Sequence, residues 1–322
     1  MTLSGRVLLI AAICFTGLAS AQPRYPDKTI RMVVPLAAGS AVDNAMRIVT
    51  ERMAQNMGQA IAIENQPGAA GLIGAERVAK AAADGYTIGG FNDSIMTMLP
   101  NLYAKMPWDI MKDFEPVSLV ATVEWGLVAT GDSPYRTAAD LIAAAKASPG
   151  KINYGSGGNG SPQHVAMELF ASTAGISLTH VPYKGATQAA VGVAAGEVQV
   201  AFQGLATVTG LVKSGKLRLL AVTTPRRMPM FPEVPTVSES GLPGFEFNSW
   251  ATIVAPAGTP KQIVSFLNAE VVRALTAPDV RDKLIAQGLT PRGSTTDELA
   301  QATREQLARY AGLMKQAGIK LE

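Results

Sequence analysis

The sequence predicts an α/β protein of two domains, each a mainly parallel sheet flanked by helices, with a cleft between the domains. Strand and helix patterns alternate along most of the chain, as they do in successive βαβ units. The chain has 322 residues, of which 48% are hydrophobic, enough for two cores of ordinary size. Two glycine-containing loops, one in each predicted domain, each join a strand to a helix.

The first residues have the pattern of a cleavable export signal, which we assign to residues 1–21. Arg6 precedes an apolar run, and the small residues Ala19 and Ala21 occupy the positions that a signal peptidase reads. The apolar run is shorter than the roughly 20 residues that a membrane-spanning helix needs. We therefore expect an exported protein without a membrane anchor.

Cysteine and histidine usage restricts the possible chemistry. Cys14 is the only cysteine and lies in the predicted signal, so we expect no disulfide, thiol nucleophile or cysteine metal site in the mature protein. His164 and His180 are the only histidines, too few for an all-histidine zinc site. The formal net charge of +3, without a basic run, argues against nucleic-acid binding.

The first predicted domain comprises residues 22–124 and resumes as residues 250–322. Its opening part alternates strands and helices, with strands at 30–34, 61–64 and 86–91 and helices at 42–57 and 72–83. After residue 250 we expect one further strand, at 252–254, and three helices. The first domain is therefore discontinuous in sequence.

The second predicted domain comprises residues 125–249, and an apolar, β-rich segment at 117–130 crosses into it. Further elements follow, with strands at 151–154, 178–183, 198–202 and 217–223 and helices at 138–147, 162–174 and 185–195. The proline-rich stretch 225–243 is predicted to be a long surface connection, because each proline lacks a backbone donor.

The strand at 30–34 runs into a loop of small residues that leads into a helix. We place Ser40 at the N-cap of this helix and Asp43 in the capping-box position. A helix N-terminus leaves backbone N–H groups unpaired and carries a partial positive charge, so a carboxylate can bind there. Small residues such as Ala38 and Gly39 allow a ligand to approach the backbone closely.

A second loop, residues 155–164, repeats this arrangement with four glycines. Ser161 is expected to cap the following helix, and Pro162 takes the first helical position, where no N–H is needed. The side chains that could contact a ligand here are Ser156, Asn159, Ser161, Gln163 and His164. One such loop is often only a tight turn, but one in each predicted domain favours a binding site in the cleft.

Two other interpretations of the second loop are weaker. The glycine spacing in residues 155–160 matches the G-x-G-x-x-G of dinucleotide sites, but the next strand ends in Tyr183 and Lys184 instead of an acidic ribose ligand. Ser161 and His164 could belong to a secreted hydrolase, but no G-x-S-x-G elbow or orienting acid accompanies them.

Several separated blocks of the sequence carry a resemblance to a known family. They are YPDK at 25–28, ENQPGAAG at 64–71, DGYT at 84–87, the loop at 154–164, HVPYKG at 180–185, VPTV at 234–237, GLPGF at 241–245 and APAGTP at 255–260. With these blocks in this order, the chain resembles the Bug-type, TctC-like solute receptors of the tripartite tricarboxylate transporter family.

The resemblance implies a periplasmic binding protein of type II, in which two domains close like a hinge on a small organic acid. It implies no cofactor and no catalysis, and a partner that is either a membrane transporter of the tripartite tricarboxylate type or a sensor. We expect a monomer. Ligands typical of the family are di- and tricarboxylates and acidic amino acids, with some aromatic carboxylates and uncharged relatives such as nicotinamide.

The ligand-binding residues that this resemblance implies come from both loops and from two later positions: Leu36, Ala38, Gly39, Ser40, Asp43, Ser156, Gly157, Asn159, Gly160, Ser161, His164, Tyr183 and Gln203. The family usually has an aromatic residue where Leu36 stands and a glycine where Ser40 stands. Leu36 is expected to leave room for a bulkier ligand, and Ser40 to add a hydroxyl. Gln203 stands where an acid is common, which argues against a ligand amino group.

Overall fold

The protein has the α/β architecture that the sequence predicts, in a computed structural model that describes residues 25–319. The predicted export signal at residues 1–21 lies outside these residues. Within residues 25–319, no helix combines the length and the apolar character needed to cross a bilayer.

The described chain contains ten strands and ten α-helices. The strands are β1 Ile30–Val34, β2 Ile61–Asn65, β3 Thr87–Asn92, β4 Phe114–Thr130, β5 Asn153–Ser156, β6 Thr179–Pro182, β7 Val200–Gly204, β8 Leu217–Val222, β9 Asn248–Pro256 and β10 Leu289–Pro291. The helices are α1 Ala41–Met57, α2 Leu72–Ala79, α3 Leu99–Leu102, α4 Ala138–Ala147, α5 Pro162–Ala174, α6 Ala186–Ala194, α7 Leu205–Lys213, α8 Lys261–Thr276, α9 Pro278–Ile285 and α10 Thr296–Ala317. A 3₁₀ turn at Ala69–Gly71 and a π-helical turn at Ser94–Met98 complete the set.

The strands form a mixed sheet in the order β2-β1-β3-β9-β4-β7-β5-β6, with β8 and β10 also paired to β4. Strands β1, β2 and β3 are parallel, and so are β5, β6 and β7. Strands β4, β8, β9 and β10 pair antiparallel to their neighbours. The predicted βαβ units therefore form two parallel groups, and an antiparallel centre joins them.

Strand β4 takes part in both groups. It pairs with β9 as far as Glu124 and with β7 from Trp125 onward. We call β2-β1-β3-β9 with the first part of β4 and β10 the first sheet segment, and the last part of β4 with β7-β5-β6 and β8 the second sheet segment. The division into domains at residues 124/125 and 249/250 stays a prediction.

The structure differs from the sequence-based expectations in several regions. The π-helical turn, α3, α7 and β10 were not anticipated, and α2 ends at Ala79, four residues early, with Lys80 at its C-cap. The proline-rich stretch 225–243 contains no helix or strand, but it is not only a surface connection. It buries Phe231 and Val234 in the cluster that contains β8, and Thr236 forms a single parallel bridge with Val222 of β8. A proline removes one backbone donor but does not prevent apolar packing.

Packing fixes the two helices that begin at the glycine loops. Helix α1 buries Met46, Val49 and Met53 completely against the sheet, as its spacing predicts. Helix α5 does the same with Val165 and Phe170. Each such side chain contributes roughly 1.5–3 kcal/mol, so the N-terminus of each helix is held firmly at the end of its strand.

Candidate ligand-binding site

The loop after β1 is organised around a helix cap. Ser40 is the N-cap of α1, and its Oγ accepts the backbone N–H of Asp43 at 3.3 Å. The Asp43 carboxylate accepts the N–H of Gly39 at 2.8 Å. The predicted capping box is therefore shifted by one residue, because the N–H of Ser40 already donates to the carbonyl of Ala37 at 3.1 Å.

The Asp43 carboxylate is almost completely buried, at 1% exposure, and is held from three sides. Arg47 Nε donates to Oδ2 at 3.0 Å, and Asn65 Nδ2 donates to Oδ1 at 2.9 Å. The amide of Asn65 also donates to the carbonyl of Leu36 at 3.1 Å. The carboxylate oxygens thus accept hydrogen bonds from the loop and its neighbours, and Asp43 supports the loop instead of facing the cleft.

The loop after β5 has the same plan with a different acceptor. Ser161 is the N-cap of α5, and its Oγ accepts the N–H of His164 at 3.4 Å. Nδ1 of His164 accepts the N–H of Gly160 at 3.1 Å. Both side chains therefore accept backbone N–H groups at the start of α5.

Beneath this loop, three aromatic rings are stacked. The ring of His180 lies 4.4 Å from that of His164 and 4.8 Å from that of Tyr154, and its Nε2 is 2.6 Å from Ser156 Oγ. Burial lowers the pKa of His164 to about 4. Burial, reinforced by the neighbouring His164, lowers the pKa of His180 to about 4. Both imidazoles are therefore neutral at neutral pH, as the hydrogen bond to Gly160 requires.

A cavity lies between the two loops, and residues of both sheet segments line it. The first turns of α1 and α5 contribute Ala41, Val42 and Gln163 to its lining. Among the described residues that line it, none is acidic, and Lys184 is the one cation. Two helix N-termini and a lysine around an acid-free cavity favour a bound anion.

Four of the predicted site residues line this cavity, namely Leu36, Ser40, Gly157 and Ser161. The others lie in a second layer or at the surface: Ala38, Gly39, Asp43, Ser156, Gly160 and His164 in the loops, Asn159 and Tyr183 in an adjoining groove, and Gln203 fully buried. Gln203 donates to the carbonyl of Ala186 at 3.2 Å, while its Oε1 lies 3.5 Å from Nε2 of Gln163. Ligand contact at these positions stays a prediction.

Sequence reasoning did not identify three polar residues in the lining: Asn92, Thr207 and Ser249. Asn92 ends β3, beside β1, so its position at the carboxyl end of a parallel strand was the available signal. Ser249 accepts the indole N–H of Trp125 at 2.9 Å. Thr207 lies on α7, whose helical pattern was missed.

The model of a protein family described as the tripartite tricarboxylate transporter family receptor matches residues 45–319. The chain belongs to this family. Among curated relatives, Protein BugT of Bordetella pertussis is 32% identical over 322 residues, covering 98% of this chain and 99% of its own. The family resemblance stated from the sequence is thereby confirmed, and the family is one of solute receptors, not of enzymes.

Solved structures agree with this family assignment. An R. palustris protein solved with adipate is 35% identical, with a TM-score of 0.89, and the match covers 92% of this chain and 99% of that one. MatC from Rhodopseudomonas palustris, solved with bound malate, is 31% identical, with a TM-score of 0.85, over 90% of this chain and 99% of its own. The α/β fold of a periplasmic binding protein is thus confirmed.

Proposed function

We propose that this chain is a periplasmic receptor that binds a small carboxylate between its two glycine loops and delivers it to a membrane transporter of the tripartite tricarboxylate type. One observation carries the proposal. The N-termini of α1 and α5 face a single cavity whose described lining contains no acidic residue. The relatives that were solved with adipate and with malate bind ligands of this class.

The anion-binding capacity of the cavity comes from backbone and hydroxyl groups. Each helix N-terminus carries about half a positive charge and unpaired N–H groups in its first turn. Ser40 and Ser161 each accept one backbone N–H, which leaves both hydroxyl protons available to donate to a ligand oxygen. A carboxylate fits this donor set, whereas a ligand ammonium would find no carboxylate in the lining to pair with.

Closure follows from where the two loops are attached. One loop extends from the first sheet segment and the other from the second, and the segments are joined by β4 and by the chain that leads from β8 to β9. A ligand that bonds both loops favours the arrangement in which the two loops are close together. Hinge closure on the ligand, without catalysis, is therefore our proposed mode of action.

The test is a thermal-shift and calorimetric screen with adipate, malate, glutamate, benzoate and nicotinamide. Adipamide, which keeps the carbon chain of adipate without its charges, is the matched control. A carboxylate at about a hundred times its Kd should stabilise the protein by roughly 2.7 kcal/mol. An equal response to adipamide, or no response to any carboxylate, would contradict the proposal.

A second candidate ligand class is an aromatic carboxylate, which the apolar part of the lining favours. Leu36, Val123 and Trp125 form an uncharged wall of the cavity. An aromatic ring packed on this wall would bury more apolar surface than an aliphatic chain does. Binding of benzoate in preference to adipate would select this class. Loss of uptake of the bound compound on deletion of the gene would show transport, whereas normal uptake would favour a sensor.

A further inference from the structure

Three hydrogen bonds run from a side chain of one sheet segment to a backbone carbonyl of the other. Ser94 Oγ donates to the carbonyl of Gly160 at 2.8 Å. Thr187 Oγ1 donates to the carbonyl of Ala38 at 2.8 Å. Asn44 Nδ2, at the start of α1, donates to the carbonyl of Ala206 on α7 at 2.9 Å. The first two carbonyls belong to the glycine loops themselves.

We propose that Ser94 and Thr187 are positioning residues that hold each glycine loop from the opposite sheet segment and thereby keep the receptor closed on its ligand. This inference rests on the proposed function, because closure matters only if the cavity binds a ligand. Neither residue lines the cavity. Their effect on binding therefore passes through the position of the loops.

Both the N–H and the carbonyl of Gly160 are hydrogen-bonded to side chains. His164 accepts its N–H from within the loop, and Ser94 donates to its carbonyl from the other sheet segment. Gly160 adopts a left-handed φ of 79°, which a side chain would disfavour. The next residue is the N-cap Ser161, so these two bonds set the direction of the backbone at the cavity. Ser94 is fully buried, at 0% exposure, so water is a poor substitute as donor.

The first loop is held in a corresponding way. Asp43 accepts the N–H of Gly39 from within the loop, and Thr187 of α6 donates to the carbonyl of the preceding residue, Ala38. A Cβ on Gly39 would lie 3.7 Å from Thr187 Oγ1, so α6 packs directly against this loop. Each loop thus has one support from its own segment and one from across the cleft.

The position of Ser94 couples it to the cavity. Ser94 begins the π-helical turn, and Asn92, two residues earlier, lines the cavity. Oδ1 of Asn92 accepts the N–H of Ile95 at 3.1 Å, which ties the turn to the lining residue. Irregular turns of this kind recur at functional sites. Asn92 thus connects the cavity to the turn that presents the Ser94 hydroxyl to Gly160.

The first experiment compares Thr187→Val with Thr187→Ser, since valine keeps the shape and loses the donor, while serine keeps the hydroxyl. Dissociation of adipate is followed by stopped-flow tryptophan fluorescence, because Trp125 lines the cavity. Loss of one net hydrogen bond should raise the dissociation rate about 2- to 10-fold with little change in the association rate. Thr187→Ser should stay near the wild type.

Ser94→Ala should act in the same direction, and the double variant Ser94→Ala/Thr187→Val should show roughly the product of the two effects. The denaturation midpoint separates this role from general damage, because a positioning role changes the dissociation rate without a matching fall in the midpoint. Wild-type dissociation rates in both single variants would overturn the proposal.

A second measurement does not depend on the ligand. The one cysteine, Cys14, lies in the predicted signal, so a protein that begins at Gln22 has none. Spin labels at Lys80→Cys, directly after α2, and at Lys146→Cys on α4 then report the distance between the two sheet segments. We expect a closed population, with and without adipate, that shrinks in the double variant. If no carboxylate binds, the proposed function fails, and the ligand-free distances still decide the positioning role. Identical distances in wild type and double variant would overturn it.

Discussion

The loop after β1 and the loop after β5 place equivalent groups at the same spacing, but they differ in the acceptor that supports them. Each has a glycine, a capping serine and an acceptor three residues after the serine. In the first loop the acceptor is the Asp43 carboxylate, paired with Arg47 at 3.0 Å. In the second it is the imidazole of His164, stacked on His180. Either a charged or a neutral acceptor can therefore hold the loop at a helix N-terminus in the conformation of an anion site. The two acceptors should differ in how strongly the stability of the protein depends on them and on pH.

The largest effect should come from removing the charged acceptor. Asp43→Ala removes the acceptor of the Gly39 N–H and one acceptor each from the Asn65 amide and the Arg47 guanidinium. Asn65 keeps its bond to the Leu36 carbonyl and Arg47 its bond to Asn65, so the partly buried Gly39 N–H is the group left without a side-chain partner. We expect a loss of about 3 kcal/mol in the free energy of unfolding, measured by urea denaturation.

The matched control is Asp140→Ala, since Asp140 is an exposed capping-box acid on α4. Its removal should cost clearly less, because water replaces the acid at the freed N–H groups. Equal losses in the two variants would show that the burial of Asp43 adds nothing to its support of the loop.

The neutral acceptor makes the second loop sensitive to acid. The pKa of His164 is about 4 in the folded protein, below the ordinary value of 6.5. Its contribution to stability is therefore complete above pH 6.5 and is lost as the pH falls from 6.5 to 4. Comparison of wild type with His164→Asn should show a loss on the order of 3 kcal/mol over this range.

The comparison with His164→Asn is needed because other groups titrate in the same range. His180 has its own lowered pKa, and burial raises the pKa of Asp93 well above its usual range, which acts in the opposite direction. Both are present in wild type and variant. Because His164 contributes to the lowered pKa of His180, the difference between the two profiles reports the effect of His164 together with its effect on His180. Parallel pH profiles of the two proteins would exclude His164 as the source of acid sensitivity.

A smaller effect is expected from removing the second acceptor at neutral pH. His164→Leu leaves the N–H of Gly160 buried without a partner, which should cost about 1–3 kcal/mol in urea denaturation. His164→Asn places an amide oxygen near the position of Nδ1 and should recover most of the loss. If asparagine and leucine are equally destabilising, the imidazole contributes through stacking and not as an acceptor.

The smallest change in stability should come from the two caps. Ser40→Gly and Ser161→Gly should each cost only a few tenths of a kcal/mol, because glycine is tolerated at the N-cap. Both serines line the cavity, so we expect each variant to bind the carboxylate about 5-fold more weakly by calorimetry. A loss at only one serine would show which loop receives the carboxylate.

Much of this arrangement was predictable because its signals are local. Two helix N-termini can be predicted from a few residues each, namely the small residues around Gly39, the serine caps and Pro162. The residues that complete the cavity gave weaker signals. Asn92, Thr207 and Ser249 lie on three different elements. The sequence offered a signal for Asn92 alone, because it is the last residue of a parallel strand, β3.

The sequence by itself determined the α/β class and the two strand–loop–helix units with their serine caps, because hydrophobic period and capping preference act over a few residues. Only the tertiary structure decided that Asp43 and His164 face inward, that Gln203 lies behind Gln163, and that Ser94 and Thr187 reach across to the opposite loop. These contacts join residues far apart in sequence. They depend on how β4 joins the two sheet segments, and no local preference specifies that geometry.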